Sequence, residues 1–318
     1  MQKTACVVWI SASPITSVWL SGYVHALRDS PSSDSFHWRW SPMAVLERIG
    51  IVLPPTPGSW DAKCTAAPIV WREEDRYCML YQGWESGGGW TRGGAPRLIG
   101  LALSEDGVHW EKHPDNPVLT PTPGGFDHGG FECGCVVRVG DEYWLYYSGF
   151  DEEHRVRIGL ARSHNLIDWE KYDGNPILDI GAPEAWDYHG VAFPSVMHLR
   201  TEWLMIYGGY GPRSMQLGAA LSRDGRAWVK CEDNPVFRQR GWHADPECSF
   251  WDAGIEVHHA FIVGDYIVMF YEGVGRPGRY NIGIAYSPDG IAWARCPSNP
   301  LKGLTEPTVK QDMGVVHP

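Results

Sequence analysis

Four copies of one phrase run through this chain: SEDGVHWEKHPDNPVL from Ser104, SHNLIDWEKYDGNPIL from Ser163, SRDGRAWVKCEDNPVF from Ser222 and SPDGIAWARCPSNPLK from Ser287. Their tryptophans, Trp110, Trp169, Trp228 and Trp293, lie 59, 59 and 65 residues apart, and an Asn-Pro follows each by six residues. A period of this length marks a chain that stacks one supersecondary unit, so the unit governs the fold. Ahead of each phrase stands an apolar strand pattern, IGLALS, IGLARS, LGAALS or IGIAYS, and ahead of that an aromatic one, CMLYQG, YWLYYSG, LMIYGG or VMFYEG. A further strand follows an aromatic-Asp pair: Trp60-Asp61, Phe126-Asp127, Trp186-Asp187 and Trp251-Asp252. Four strands per repeat of roughly 60 residues, with no helical period, is the pattern of an all-β propeller; the length beyond the usual ~40–50 residues sits in loops.

Four full blades account for residues 60–301. The C-terminal Glu306-Pro307-Thr308-Val309 resembles the inner-strand phrase Phe193-Pro194-Ser195-Val196. Before residue 50, ACVVWIS, GYVHALRDS and FHWRW come in the order of the later strands of a unit. The expectation is a single domain over residues 1–318: a five-bladed β-propeller of four-stranded antiparallel blades. Its last blade takes outer strands from residues 1–50 and its inner strand from 306–318, so that both termini close the ring and leave no exposed sheet edge.

Composition fits this reading. Of the 318 residues 43% are apolar and 20% charged, which excludes a disordered chain, and no run of eighteen apolar residues is present to span a bilayer. The net charge of −11 argues against a nucleic-acid partner, whose footprint is basic. The eight cysteines form no CxxC pair and no zinc spacing, and read as buried reduced thiols, with a disulfide left open because Cys133 and Cys135 lie two apart. The apolar run Ala5–Ile10 is shorter than a usual signal-peptide core, so the expected location is cytoplasmic. No membrane partner and no cofactor are expected, an ion in the central channel being left open; the oligomeric state is not legible.

In a propeller blade two sets of loops share one face: those leading into the first strand and those joining the second to the third. The first set carries Asp61, Asp127, Asp187 and Asp252; the second reads WESGGGWTRGGAPR, FDEEHR, YGPRS and VGRPGR. A residue present in every blade more often holds the fold, whereas positions that break the repeat point to chemistry. Glu132 and Glu256 stand where sister units have Ala66 and Ala192, and Lys63 and His189 stand against Gly129. A carboxylate near the propeller axis must be hydrated, paired or shifted in pKa, and two facing carboxylates are what cleavage of a glycosidic bond requires. The aromatic side chains Trp84, Trp90, Tyr210 and Trp242 fall in the same loops and can stack on sugar rings.

The combination of WD-x(6)-P-x-V, a Tyr-x-Gly strand end, an IGLA-type strand and S-x-D-G-x-x-W-x(5)-NP resembles the five-bladed β-propeller glycoside hydrolases, the superfamily around families 43, 32, 62, 117 and 130. The resemblance covers about residues 60–309. It implies a base or nucleophile, a supporting Asp and a general-acid Glu on the inner strands of three blades. Asp61 matches the first; Asp127 or Glu132 matches the second; the third blade offers Asp187 and His189 but no inner-strand Glu. That departure leaves room for a His acid, as in family 117, or for the single-acid phosphorolysis of family 130. The expected function is hydrolysis of a glycosidic bond in an oligosaccharide or glycoside by Asp61 and Glu132, with Glu256, Asp187 or His189 assisting. Asp245 and Glu247 are the fallback. Trp84, Glu85, Arg97, Asp127, Asp151, Tyr210 and Arg276 are expected to bind substrate. The alternatives are a glycoside phosphorylase, with Arg97, Arg155, Arg213, Arg276 and Arg279 as phosphate ligands, and a non-catalytic carbohydrate-binding propeller.

Overall fold

The computed structural model describes residues 51–87, 94–211, 215–242, 245, 247–275 and 280–301, apart from the side chain of Cys133, together with the backbone of strands between residues 6 and 50. Among the described residues every regular element is a strand. The N-terminal strands are β1 (Cys6–Ile10), β2 (Ile15–Ser21), β3 (Val24–Arg28), β4 (Phe36–Trp40) and β5 (Val45–Leu53). Four antiparallel four-stranded units follow, the last three joined by single bridges into one twelve-stranded sheet. The first holds β6 (Cys64–Arg72), β7 (Tyr77–Trp84), β8 (Leu98–Ser104) and β9 (Glu111–Lys112); the second holds β10 (Gly130–Val139), β11 (Glu142–Phe150), β12 (Val156–Ser163) and β13 (Glu170–Lys171). The third holds β14 (Gly190–His198), β15 (Trp203–Tyr210), β16 (Met215–Ser222) and β17 (Val229–Lys230); the fourth holds β18 (Gly254–Val263), β19 (Tyr266–Val274), β20 (Tyr280–Ser287) and β21 (Ala294–Arg295).

The four units read from the sequence are thus four blades with the expected strand order. Single bridges, Arg97 to Gly130, Val156 to Gly190 and Met215 to Ile255, lead from the third strand of one blade to the first strand of the next. The core is divided into layers between neighbouring blades. Leu80, Ile99, Phe131 and Leu145 fill the first junction; Tyr146, Ile158, Val191 and Met205 fill the second; Leu204, Leu217, Ile255 and Met269 fill the third.

Among the described residues the sheets do not close into a ring. The N-terminal region departs from expectation: Ile15–Ser21 and Val45–Leu53 are also strands, and the five segments form two sheets, β1-β2-β5 and β3-β4, rather than three strands of one blade. Glu47, Arg48 and Gly50 interrupt the apolar alternation of β5, which hides it from a pattern search. Glu306–Val309, expected as the inner strand of a fifth blade, lie outside the described residues.

The repeated phrases have local causes. The ring of each aromatic-Asp pair stacks on the tyrosine of the second strand, with centroids 5.6 Å apart for Trp60 and Tyr81 and 5.9 Å for Phe126 and Tyr147. The Tyr-x-Gly and IGLA glycines leave room for that stack: a Cβ on Gly83 would come 2.5 Å from Trp60, and one on Gly100 would come 2.7 Å from Trp60 and 2.8 Å from Tyr81. In the Ser-x-Asp-Gly turn, the Ser104 hydroxyl accepts from Gly107 N–H at 2.8 Å, Asp106 accepts from Val108 and His109, and Trp110 Nε1 donates to the Gly107 carbonyl. In the second blade Asn165 and Leu166 take the Asp and Gly places, and Leu166 adopts φ +68 to keep the same bonds.

Candidate active site

The four repeated aspartates are buried, each 2% exposed or less. Each accepts from the tyrosine hydroxyl of its own second strand, at 3.3, 3.2, 3.4 and 3.3 Å from Tyr81, Tyr147, Tyr207 and Tyr271. Each also takes a cation from the two-residue outer strand: Lys112 on Asp61, Lys171 on Asp127 at 2.6 Å, Lys230 on Asp187 at 2.6 Å and Arg295 on Asp252 at 2.8 Å. An Asn side chain donates to each tyrosine oxygen, and its own carbonyl accepts the backbone N–H of the third strand. Burial, followed by the adjacent carboxylate, pushes the Tyr81, Tyr147, Tyr207 and Tyr271 hydroxyls well up, so they remain proton donors to the Asp. Asp61 and Asp187 occupy the same tyrosine–lysine latch as Asp127, whereas Asp252 has Arg295 in the lysine's place and Arg240 at 3.8 Å.

Asymmetry begins at the junction of the first two blades. Arg97 stands three residues before Gly100; the same place holds Val156 in the second blade and Met215 in the third. Its guanidinium contacts Glu132, and the two side chains are 6% and 10% exposed. It lies over the Trp84 ring at 5.2 Å and over the Phe150 ring at 5.3 Å, stacking that a planar guanidinium suits better than an ammonium. At the next junction the equivalent residues, Val156 and Ala192, belong to one apolar cluster. The main chain brings the charged pair together. Arg97 N–H donates to the Gly129 carbonyl, and Phe131 N–H donates to the Arg97 carbonyl. Gly130, at φ +115, permits this approach, since a Cβ there would strike the Arg97 backbone.

Other expected residues are scattered around this centre. Lys63 and His189 are exposed, and their N–H groups make one shared tie, to the carbonyls of Trp84 at 3.0 Å and Tyr210 at 2.9 Å. The His189 ring lies beside Tyr188 at 5.2 Å. Tyr210 is half-buried against Phe193, and Glu85 is exposed. Asp151 is buried and pinned within its own loop: it accepts from Arg155 Nε at 3.0 Å and Arg157 at 2.9 Å. Burial would raise its pKa, but these bonds and the Arg155 N–H outweigh burial and hold the carboxyl below its ordinary value. Trp242, half exposed, and the exposed Asp245 and Glu247 lie in the loop before Asp252. Trp90, Arg213, Arg276 and Arg279 lie outside the described residues.

Glu256 is half-buried on β18, where a bulge sets it and Val257 opposite Glu272 of β19. Sequence reading missed Glu272 and also Gln82, whose amide donates to the Phe131 carbonyl across the first junction. The signal was present: the residue after the second-strand tyrosine reads Gln82, Ser148, Gly208 and Glu272. The test for broken repetition applied to the inner strand alone passes over it. Ser148 also ties across its junction, accepting from Phe193 N–H at 2.8 Å.

Comparison with known proteins adds the wider setting. The model for the glycosyl hydrolases family 32 N-terminal domain matches residues 68–209. A 1,2-beta-oligomannan phosphorylase from Thermoanaerobacter is 25% identical over 134 residues, 41% of this chain and 45% of its own length. Two uncharacterized Mycobacterium tuberculosis proteins are each 26% identical; the matches span 54% and 77% of this chain and 60% and 81% of theirs. A putative glycosidase from Bacteroides thetaiotaomicron superposes with a TM-score of 0.61 at 18% identity, covering 77% of this chain and 79% of that one. A structure described for family 130 mannoside phosphorylases and hydrolases acting on beta-1,2 mannosidic linkages superposes with 0.60 at 21% identity, covering 77% and 76%. A family 117 glycoside hydrolase from Zobellia galactanivorans superposes with 0.57 at 16% identity, covering 73% and 67%. The repeat, the blades and these matches converge on the propeller-type glycoside hydrolase superfamily as the group whose fold this chain shares.

Proposed function

We propose that this protein hydrolyses a glycosidic bond in an oligosaccharide, at the end of the inner strands where the first two blades meet, with Glu132 as a reacting carboxylate. The observation that carries the reading is the Arg97–Glu132 pair, set where a sister junction places Val156 and Ala192 in one apolar cluster. Trp84 beside the pair supplies a face for a sugar ring, and Glu256 on the fourth blade is the second carboxylate at the same level of the repeat. Asp61 and Asp187 are reassigned to the blade latch. Closure of a fifth blade by both termini, and a cytoplasmic setting in keeping with the six described free cysteines, remain parts of this proposal.

Phosphorolysis is the second reading, favoured by the relative named as an oligomannan phosphorylase. It needs free cations, and the two described arginines of the candidate phosphate set are engaged by carboxylates, Arg97 by Glu132 and Arg155 by Asp151 and Glu153. Among the described residues that engagement favours hydrolysis. Sugar release from a panel of aryl glycosides and β-linked oligosaccharides, run with and without phosphate, tests both. Hydrolysis predicts turnover without phosphate and a loss of about 10²–10⁴-fold in Glu132→Gln. A strict phosphate requirement would favour the second reading, and inactivity on every substrate would leave only a binding role.

A further inference from the structure

We propose that Arg97 is a positioning residue that holds Glu132 as a fixed anion, so that Glu132 donates an electron pair in the reaction while another group supplies the proton to the leaving oxygen. The inference rests on the reading of Glu132 given above and specifies its role.

Three observations carry it. First, Arg97 is immobilised from both sides. Its main chain is tied to Gly129, just before β10, and to Phe131, the residue before Glu132, and its guanidinium lies over the Trp84 and Phe150 rings. A guanidinium fixed independently of its partner dictates where the carboxylate points. Secondly, packing does not demand the pair, because the second junction meets the same need with Val156 and Ala192, 3% and 0% exposed. Buried ion pairs are commonly replaceable by apolar residues without loss of stability, so a pair kept where the fold has an apolar solution has another use. Thirdly, a guanidinium against a carboxylate favours the ionised form. An ionised Glu132 is suited to take a proton from water as the water oxygen bonds to the anomeric carbon, or to attack that carbon itself. In either case the bond to the leaving oxygen breaks with its electrons, and that oxygen is protonated by a different acid.

The test combines activity with stability on the full-length protein. Arg97→Ala should lower kcat by about 10²-fold with KM little changed, as expected when a reacting group is misaligned. Millimolar guanidinium should restore part of the loss, while Arg97→Lys should not, since an ammonium lacks the planar face that lies over the two rings. Glu132→Gln should lose activity equally on activated aryl glycosides and on substrates with poor leaving groups, and Glu132→Ala should be rescued by azide on the activated ones. The double variant Arg97→Val/Glu132→Ala should melt at least as high as wild type although it is inactive. A raised KM with kcat intact in Arg97→Ala would make Arg97 a substrate ligand and overturn the proposal. So would a double variant less stable than either single variant, or a Glu132→Gln loss confined to poor leaving groups. A wild type without glycosidic activity overturns the functional reading and this role with it, whereas an active wild type with any of the other adverse results overturns this role alone.

Discussion

Cutting the latch from its two ends should cost unequal amounts. In the third blade Asp187 has a side-chain exposure of 3%, whereas its partner Lys230 is 28% exposed. Lys230→Met leaves a carboxylate in the interior with only the Tyr207 hydroxyl, and stranding a buried charge costs about 3–5 kcal/mol. Asp187→Asn leaves an ammonium that can turn to water, so the loss is nearer that of one charge-assisted hydrogen bond, about 1.5–3 kcal/mol. The same asymmetry applies in the other blades, where exposures are 22% against 1%, 22% against 0%, and 26% against 0%. At roughly 2–4 °C per kcal/mol, the lysine variants should melt several degrees below the asparagine variants. Thermal melting at pH 7 of all eight single variants, with turnover measured on the folded fraction, reads both stability and catalysis. Asp61→Asn and Asp187→Asn should behave like Asp127→Asn and Asp252→Asn, retaining turnover. Equal costs from the two ends would refute the energetic argument. An Asp61→Asn protein that melts normally but has lost turnover would return Asp61 to the reaction.

Two further outcomes follow from the packing. His258 is buried between the third and fourth blades, donating from Nε2 to the Ile206 carbonyl at 3.2 Å while Nδ1 lacks a partner. Burial foremost, with His259 adding to it against the pull of the Ile206 bond, lowers its pKa to about 4. The unfolded chain takes up this proton near pH 6.5 and the folded chain only near 4, so the group costs stability progressively as pH falls through that window, by about 3 kcal/mol at its lower end. His258→Asn should flatten the melting temperature between pH 6.5 and 4; an unchanged slope would discount the histidine. Gly283→Ala would place a methyl 2.5 Å from Trp251 and 2.8 Å from Tyr271, and should destabilise by about 1–3 kcal/mol in urea unfolding. A neutral result would mean that the ring stack yields.

The blades were legible because every local signal in them is made within one repeat. The aromatic-Asp pair, the Tyr-x-Gly end, the IGLA strand and the Asn-Pro all meet in one latch, so their spacing alone reported the unit. The site was legible only in part. Broken repetition singled out Glu132, but Arg97 was read as a substrate ligand, because its partner lies across a junction between blades that spacing within a repeat does not encode. Asp61 was joined to Glu132 through the family pattern, while the contacts that occupy it come from Lys112, 51 residues on. Glu272 and Gln82 escaped for another reason: both follow the second-strand tyrosine, a position outside the inner strand along which repetition was compared. The N-terminal strands carry no copy of the phrase, and pattern reading found only some of them.

Because each latch joins the outermost strand of a blade to the approach of its innermost one, the repeat carries its own ruler, and length varies in two places: between latches, and in the loop joining the second and third strands, where Tyr81 to Asn116 takes 35 residues against 28, 27 and 28 in the other blades. From the latch asparagine to the next latch aspartate the chain takes 11, 12 and then 18 residues, while from each aspartate to its tyrosine it takes 20, 20, 20 and 19. The longest of these connections runs from Asn234 to Asp252 and presents Trp242 and Phe250, 50% and 40% exposed, without altering the strand order of the blade that follows. Insertions can therefore accumulate in the segment between latches and in the loop between the second and third strands, while the strands keep their dimensions. A chain organised in this way separates the residues that measure the frame from those that can diversify what the rim touches.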